Sequence, residues 1–255
     1  MDLRLRRRST IGYAAGMALY SLVIVALYPA FKDSPGLDEL TRNNPTIAAL
    51  FGMSGSLTSP SGWLNSQIYA NFLPLLVLLL GIGYGAWATA GQDEDGTLGP
   101  VLALAVRRDM VVWAKAASLV AQELALVTAA AAAVLVGRGF GLDVPIGTLL
   151  AVSATSVLLG VDFGLVAMAV GVSTGRRGTA IGVAAALASA SFLLASLAPV
   201  VSWIRPARVV SLFYWSVLDD QVGKGVTAAD AGVLVAVGTV ALLATVAGFR
   251  RADVR

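Results

Sequence analysis

The sequence predicts an all-α integral membrane protein. It reads as six transmembrane helices with both termini cytoplasmic, a short surface helix after the second span, and an outer re-entrant or interfacial segment before the sixth. Three observations predict this. The 255 residues are 57% hydrophobic and only 13% charged, with a mean hydropathy of +0.80, whereas a soluble domain is about a quarter charged. Six apolar stretches, 11–30, 68–90, 111–136, 146–172, 179–201 and 228–249, each reach the roughly 20 residues that a spanning helix needs. The bases are also unevenly spread. With both ends inside, 12 of the 18 Lys and Arg (Arg4, Arg6, Arg7, Arg8, Arg107, Arg108, Lys115, Arg176, Arg177, Arg250, Arg251 and Arg255) lie on the inner side, and Lys32, Arg42, Arg138, Arg205, Arg208 and Lys224 on the outer. That two-to-one bias is what the positive-inside rule asks of an even number of spans. Residues 1–255 read as a single transmembrane domain of the plasma membrane, without an internal repeat.

Residues 1–10 interleave Arg4, Arg6, Arg7 and Arg8 with Leu3 and Leu5, a pattern suited to a short interfacial helix. The apolar run that follows is longer than a signal-peptide core and lacks a convincing small-x-small cleavage site, so it reads as the first span. Gly12 and Gly16 within it form a small-xxx-small pair suited to close helix packing. Residues 31–66, with Pro35, Pro45 and Pro60, read as an outer loop holding one short helix at 45–52. Gly81, Gly83 and Gly85 thin one side of the second span, and Gly160 and Gly164 do the same for the fourth. Residues 202–227 carry Trp203, Phe213, Tyr214 and Trp215, which suit a membrane–water boundary. Pro206, Asp219, Asp220 and Lys224 argue against a full span there.

The chain contains neither His nor Cys. That removes imidazole and thiol chemistry, zinc, haem and iron–sulfur sites, and Ser-His or Cys-His catalysis. No cofactor is expected. Gly171 to Gly178 is glycine-rich but lacks the lysine of a phosphate loop, so the chain has no nucleotide site of that kind and is not itself an ATPase. Bases that sit beside apolar spans are accounted for by topology, so nucleic acid is not a partner.

The densest charged segment in the middle of the chain is Gln92-Asp93-Glu94-Asp95-Gly96-Thr97-Leu98, running on to Arg107-Arg108 and Lys115. Gly96 breaks a helix and Thr97 is placed to cap the next, over 98–106. Acids before that helix suit the positive end of its dipole, and Arg107 and Arg108 suit the negative end. Three adjacent acids cannot all converge on one cation without a ligand from elsewhere, so the trio reads as a solvated turn that meets a partner and not as a metal site.

This segment resembles the loop after the second helix in permeases of the ABC-2 exporter family, where a Gly-Glu-Glu-acid-x-Gly-Thr-Leu run precedes an apolar stretch ending in Ser-Arg. Gly91, Asp93, Glu94, Gly96, Thr97, Leu98, Arg107 and Lys115 carry the match. Gly99-Pro100 stands in place of a helix-forming pair, and Ala105-Val106-Arg107 in place of Pro-Val-Ser-Arg. Leu50-Phe51-Gly52, Ser59 to Asn65 and Ser211 to Trp215 are also similar to the family. The resemblance implies that 92–108 forms a cytoplasmic coupling helix that touches a separate ATPase subunit, present in two copies. It also implies that a second permease copy, or a similar permease, completes the assembly.

Glu123 and Asp162 are the acids deepest in the spans. They lie about 12 and about 10 residues from the inner ends, or some 15–18 Å into a core of about 30 Å. Ionisable groups at such depth mark a pathway or a pair. They form a candidate site for a cationic substrate, or each bonds a neighbour such as Gln122, Thr155 or Ser156. The leading expectation is the permease subunit of an ATP-driven exporter of a hydrophobic or amphipathic, drug- or antibiotic-like substrate. The alternatives are a cation or lipid exporter, a scaffold or regulatory membrane subunit, and a lipid-acting enzyme.

Overall fold

In the computed structural model the described residues are 2–34, 56–97 and 107–251, with isolated positions 36, 39 and 43, and side chains are described from Arg6 onward. The expected short helix at 45–52, the surface helix at 98–106 with Leu98, and Arg255 lie outside them. Among the described residues the chain is helical with no strand. Six helices are long and apolar enough to cross a membrane. We label them α1 (Asp2–Phe31), α2 (Pro60–Glu94), α3 (Arg108–Val136), α4 (Ile146–Thr174), α5 (Arg177–Leu197) and α6 (Ala228–Arg251).

The boundaries follow local chemistry. Nothing in 2–10 breaks a helix, so the basic start and the first span form one continuous α1 instead of an interfacial helix followed by a span. α2 begins eight residues earlier than expected, at 60 and not 68. Ser59 caps it, its hydroxyl accepting from Gly62 N, and Pro60 sits at the first turn, where a missing N–H costs nothing. α2 ends in a Schellman arrangement: Thr97 N–H reaches Gln92 O (2.9 Å), Gly96 N–H reaches Asp93 O (3.0 Å), and Gly96 takes φ +67°. The Thr97 hydroxyl also donates to Gln92 O, so its side chain closes the helix before it. α5 stops at Leu197, short of the expected 201. Pro199 explains this, since it has no N–H to continue the helical ladder, while Ala198 before it keeps helical angles (φ −56°, ψ −35°) as the last capping residue.

α4 is the central helix and packs against α2, α3, α5 and α6, while α1 lies against α3. The α2–α4 crossing is close because Gly81 and Gly85 face the backbone carbonyls of Gly160 and Gly164, leaving no room for a Cβ. Gly83 does not share that face. Two residues rotate a helix by about 200°, and nothing approaches within 4 Å of a Cβ at Gly83. Among the described residues nothing lies within 4 Å of a Cβ at Gly12 or Gly16 either.

After α5 the chain folds back into the bundle. Ser211 Oγ donates to Ser191 O (2.6 Å), and Thr155 Oγ1 donates to Ser216 O (2.9 Å). Ser191 lies six residues before the end of α5 and Thr155 nine residues after the start of α4, so the segment re-enters by about 9–13 Å. Gln221 holds the return: its amide donates to Tyr214 O (2.7 Å) and its carbonyl accepts from Asp219 N (3.0 Å). This is the segment expected to be re-entrant or interfacial before the sixth span.

Candidate functional site

Two features of the bundle carry the functional argument, a groove along α2 and α5 and a charged end where the loops meet.

The groove begins with a proline. Pro74 cannot donate a backbone hydrogen bond, and the helix before it widens into a π-helix over Asn65–Phe72, with Leu73 N–H bonding Ile68 O five residues back. The wider turn is partly closed by Asn71, whose side-chain N–H donates to Ser66 O (2.7 Å). Ser66, Gln67 and Asn71 thereby border a cavity of about 970 Å³ between α2 and α5. Ser189 of α5 borders the same cavity, and its walls include Phe72, Phe192 and Phe213. Ser189 lies eight residues from the far end of α5, and Asn71 eleven from that end of α2, so both sit about 12–17 Å deep. Among the described residues no charged side chain lines the cavity. Tyr20 of α1 stacks on Phe72 (3.9 Å between centroids), and this ridge separates the groove from a smaller one of about 390 Å³ along Gly12 and Gly16.

At the other end, residues 92–97 point in two directions. Gln92 is buried, its carbonyl bonded by the ammonium of buried Lys115, and Tyr84 donates to Lys115 O (3.2 Å). Arg6 lies over the rings of Tyr84 (5.7 Å) and Trp87 (5.0 Å). Asp93 is half-buried, and Glu94, Asp95, Gly96 and Thr97 are exposed. Glu94 Oε1 accepts from Arg177 N (2.9 Å), at the start of α5. Arg107 and Arg108 are exposed. Beside them the two carboxylate oxygens of Asp109 accept from Arg250 Nε and Nη2 (2.8 and 2.7 Å), joining the start of α3 to the end of α6.

The two deep acids are not brought together. Glu123 is fully buried against Gly160 and Gly81, whereas Asp162, two residues and about 200° on from Gly160, faces Gly238 of α6. Neither carboxyl has a hydrogen-bond partner among the described residues, and neither lines the groove. Gln122, Thr155 and Ser156 bond elsewhere: Gln122 to Thr10 and Ser118 O, Thr155 to Ser216 O, and Ser156 to Val152 O.

The groove's polar residues escaped the sequence reading because Ser66 fell in the expected loop and Gln67 between that loop and the expected span. Their signal was an amide pair, Gln67 and Asn71, four apart and just before Pro74.

A six-helix bundle with a polar-edged apolar groove suits a membrane transport component. The chain belongs to the family described as ABC-2 family transporter protein, which it matches over residues 1–254. It is therefore a multi-pass membrane protein of a family that works in association with an ABC ATPase and the membrane. No curated protein matches the chain.

Proposed function

We propose that this chain is the permease subunit of an ATP-driven exporter, and that the α2–α5 groove is its half of the pathway for a hydrophobic or amphipathic, drug- or antibiotic-like substrate. The observation that carries the reading is the groove itself. It offers about 970 Å³ of apolar space, within the usual size of a small-molecule site. Its hydrogen-bonding groups, Gln67, Asn71 and Ser189, sit at membrane depth, where polar side chains are costly unless used. The absence of charge among the described residues of its lining, and the turning away of Glu123 and Asp162, favour neutral molecules over a cation.

A second permease copy is the partner that fits the open side. Leu75 and Leu79 are more than half exposed beside the groove, and Gly12 and Gly16 offer an unfilled small-residue face on the same side of α2. The docking surface for two ATPase subunits is assigned to 92–108, with Glu94 to Thr97 and Arg107–Arg108 outward, Asp93 half-buried beside them and Gln92 bracing them through Lys115. The clustering of bases at this end supports a cytoplasmic, plasma-membrane orientation.

The test is Asn71→Leu and Ser189→Leu at matched expression, reading ATP-driven efflux of the neutral dye Nile red from vesicles. Each lost hydrogen bond is worth about a kcal/mol, so each variant is expected to lose about five- to tenfold in efflux. Unchanged efflux in both would remove the groove from the pathway.

A further inference from the structure

We infer that Glu94 is a positioning residue that ties the ATPase-docking segment to α5, so that movement of the segment is carried to the wall of the groove. The inference rests on the docking role proposed above for 92–108.

The first turn of α5 lacks its own means of satisfaction. Its N-cap, Arg176, makes no side-chain cap bond, and no acid stands in the first turn. Arg176 and Arg177 instead add positive charge where the helix dipole is already positive, an unfavourable placement. The missing acceptor comes from 83 residues away, as the Glu94 carboxylate bonding Arg177 N–H at 2.9 Å. The surroundings are fitted to that contact. A Cβ on Gly91 would lie 3.3 Å from Arg177 Cδ, and one on Gly175 would lie 3.9 Å from Asp93 Oδ2. Gly171 leaves space for Thr89 directly below. The end of α2 and the turn between α4 and α5 therefore fit each other at 89–94 and 171–177.

The first half of α5 is built to shift. Its buried face there is Ala180, Ala184 and Ala188, small side chains one turn apart that give a smooth contact with little interlocking, whereas Ser191 further on is tied to Ser211 and Leu212 by hydrogen bonds. Its groove side carries Ile181, Ala185, Ser189 and Phe192. A helix of 21 residues is a rod of about 31 Å, so displacement of its first turn reaches Ser189 as a tilt. Glu94 holds that first turn. A docking segment pushed by its ATPase moves α5, and with it one wall of the groove.

Proline at position 177 isolates the joint. It removes the N–H that Glu94 accepts, yet proline is tolerated at the first helical position. Arg176, at φ −125° and ψ 114°, already has the extended conformation that a following proline requires. Arg177→Ala is the control, since it loses the side chain and keeps the N–H. With the ATPase co-reconstituted, Arg177→Ala should match the parent in Nile red export per ATP hydrolysed. Arg177→Pro should retain the ATPase and lose about tenfold in that ratio, as for loss of one charge-assisted bond. A second measurement needs no ATPase. Spin labels at Asp95→Cys and Gly182→Cys, in this cysteine-free chain, should give one narrow distance distribution in the parent and in Arg177→Ala, and a broadened one in Arg177→Pro. Coincidence of the Pro and Ala variants in both measurements overturns the joint and leaves the permease reading standing. Broadening in a chain that exports nothing with its ATPase keeps the joint and removes the permease reading.

Discussion

At the scale of single residues, the bundle is set by which glycines face a neighbour. Gly81 and Gly85 meet the carbonyls of Gly160 and Gly164, and Gly160 also meets the Glu123 carboxyl, where an added Cβ would fall 2.7 Å from Cδ. Gly83 meets nothing. Alanine at Gly81 or Gly160 is therefore expected to destabilise the protein by about 1–3 kcal/mol through overpacking, and alanine at Gly83 to be neutral. Thermal unfolding of the purified variants in detergent checks this ordering, and a Gly83→Ala change as costly as Gly81→Ala would show the crossing to be wrong. The acids Glu123 and Asp162 belong to the same scale. Because they face glycines and not the groove, Glu123→Gln and Asp162→Asn together should leave Nile red efflux within about twofold, the mark of groups outside the substrate's contacts. A large loss of efflux at unchanged protein level would return them to the pathway.

At the scale of elements, the six spans were legible because apolar length and flanking bases are strong signals that survive any detail of packing. The ends were less legible. Pro199 announced the stop of α5, and Ser59-Pro60 announced the start of α2. Apolar neighbours masked Pro199 and stretched α5, whereas the polar residues Ser61, Asn65, Ser66 and Gln67 after Pro60 made the start of α2 read as loop and shortened it. The π-helix over 65–72 was not legible, because it depends on how the turn before Pro74 finds donors and on the space beside α5. Face assignments failed where spacing was read without rotation, as at Gly83. The re-entrant segment was legible from its aromatics and charges, and its depth comes from Ser191 and Thr155, whose hydrogen bonds no periodicity reveals. Its tip gives a further prediction. Lys224 is exposed at the turn, whereas a side chain at Gly223 would run into the Asp220 carboxylate. A cysteine at 224 should react with a membrane-impermeant maleimide added to intact cells. Labelling only after the cells are opened would reverse the proposed orientation.

At the scale of the whole molecule, the groove and the charged end lie at different levels of the same two helices. α2 carries the polar patch near one end and residues 92–97 at the other, and α5 carries Ser189 and the Arg177 contact. A transporter driven from one face needs such a pair of elements, since force applied at the loops must reach a site tens of ångströms away through packed helices. The open side of the groove makes a partner copy part of this account. A single cysteine at Leu79 is expected to form a symmetric cross-link in native membranes, and its absence would leave the groove facing lipid. The most direct test is co-purification and transport with a co-expressed ABC ATPase partner. The account predicts that the parent retains the ATPase and exports Nile red on ATP addition. It predicts that the combined variant Asp93→Ala, Glu94→Ala, Asp95→Ala inserts normally but loses both ATPase retention and export by about tenfold or more, as for loss of several charged contacts at one interface. Retention of the ATPase and stimulated hydrolysis at the parent level in that variant would contradict it.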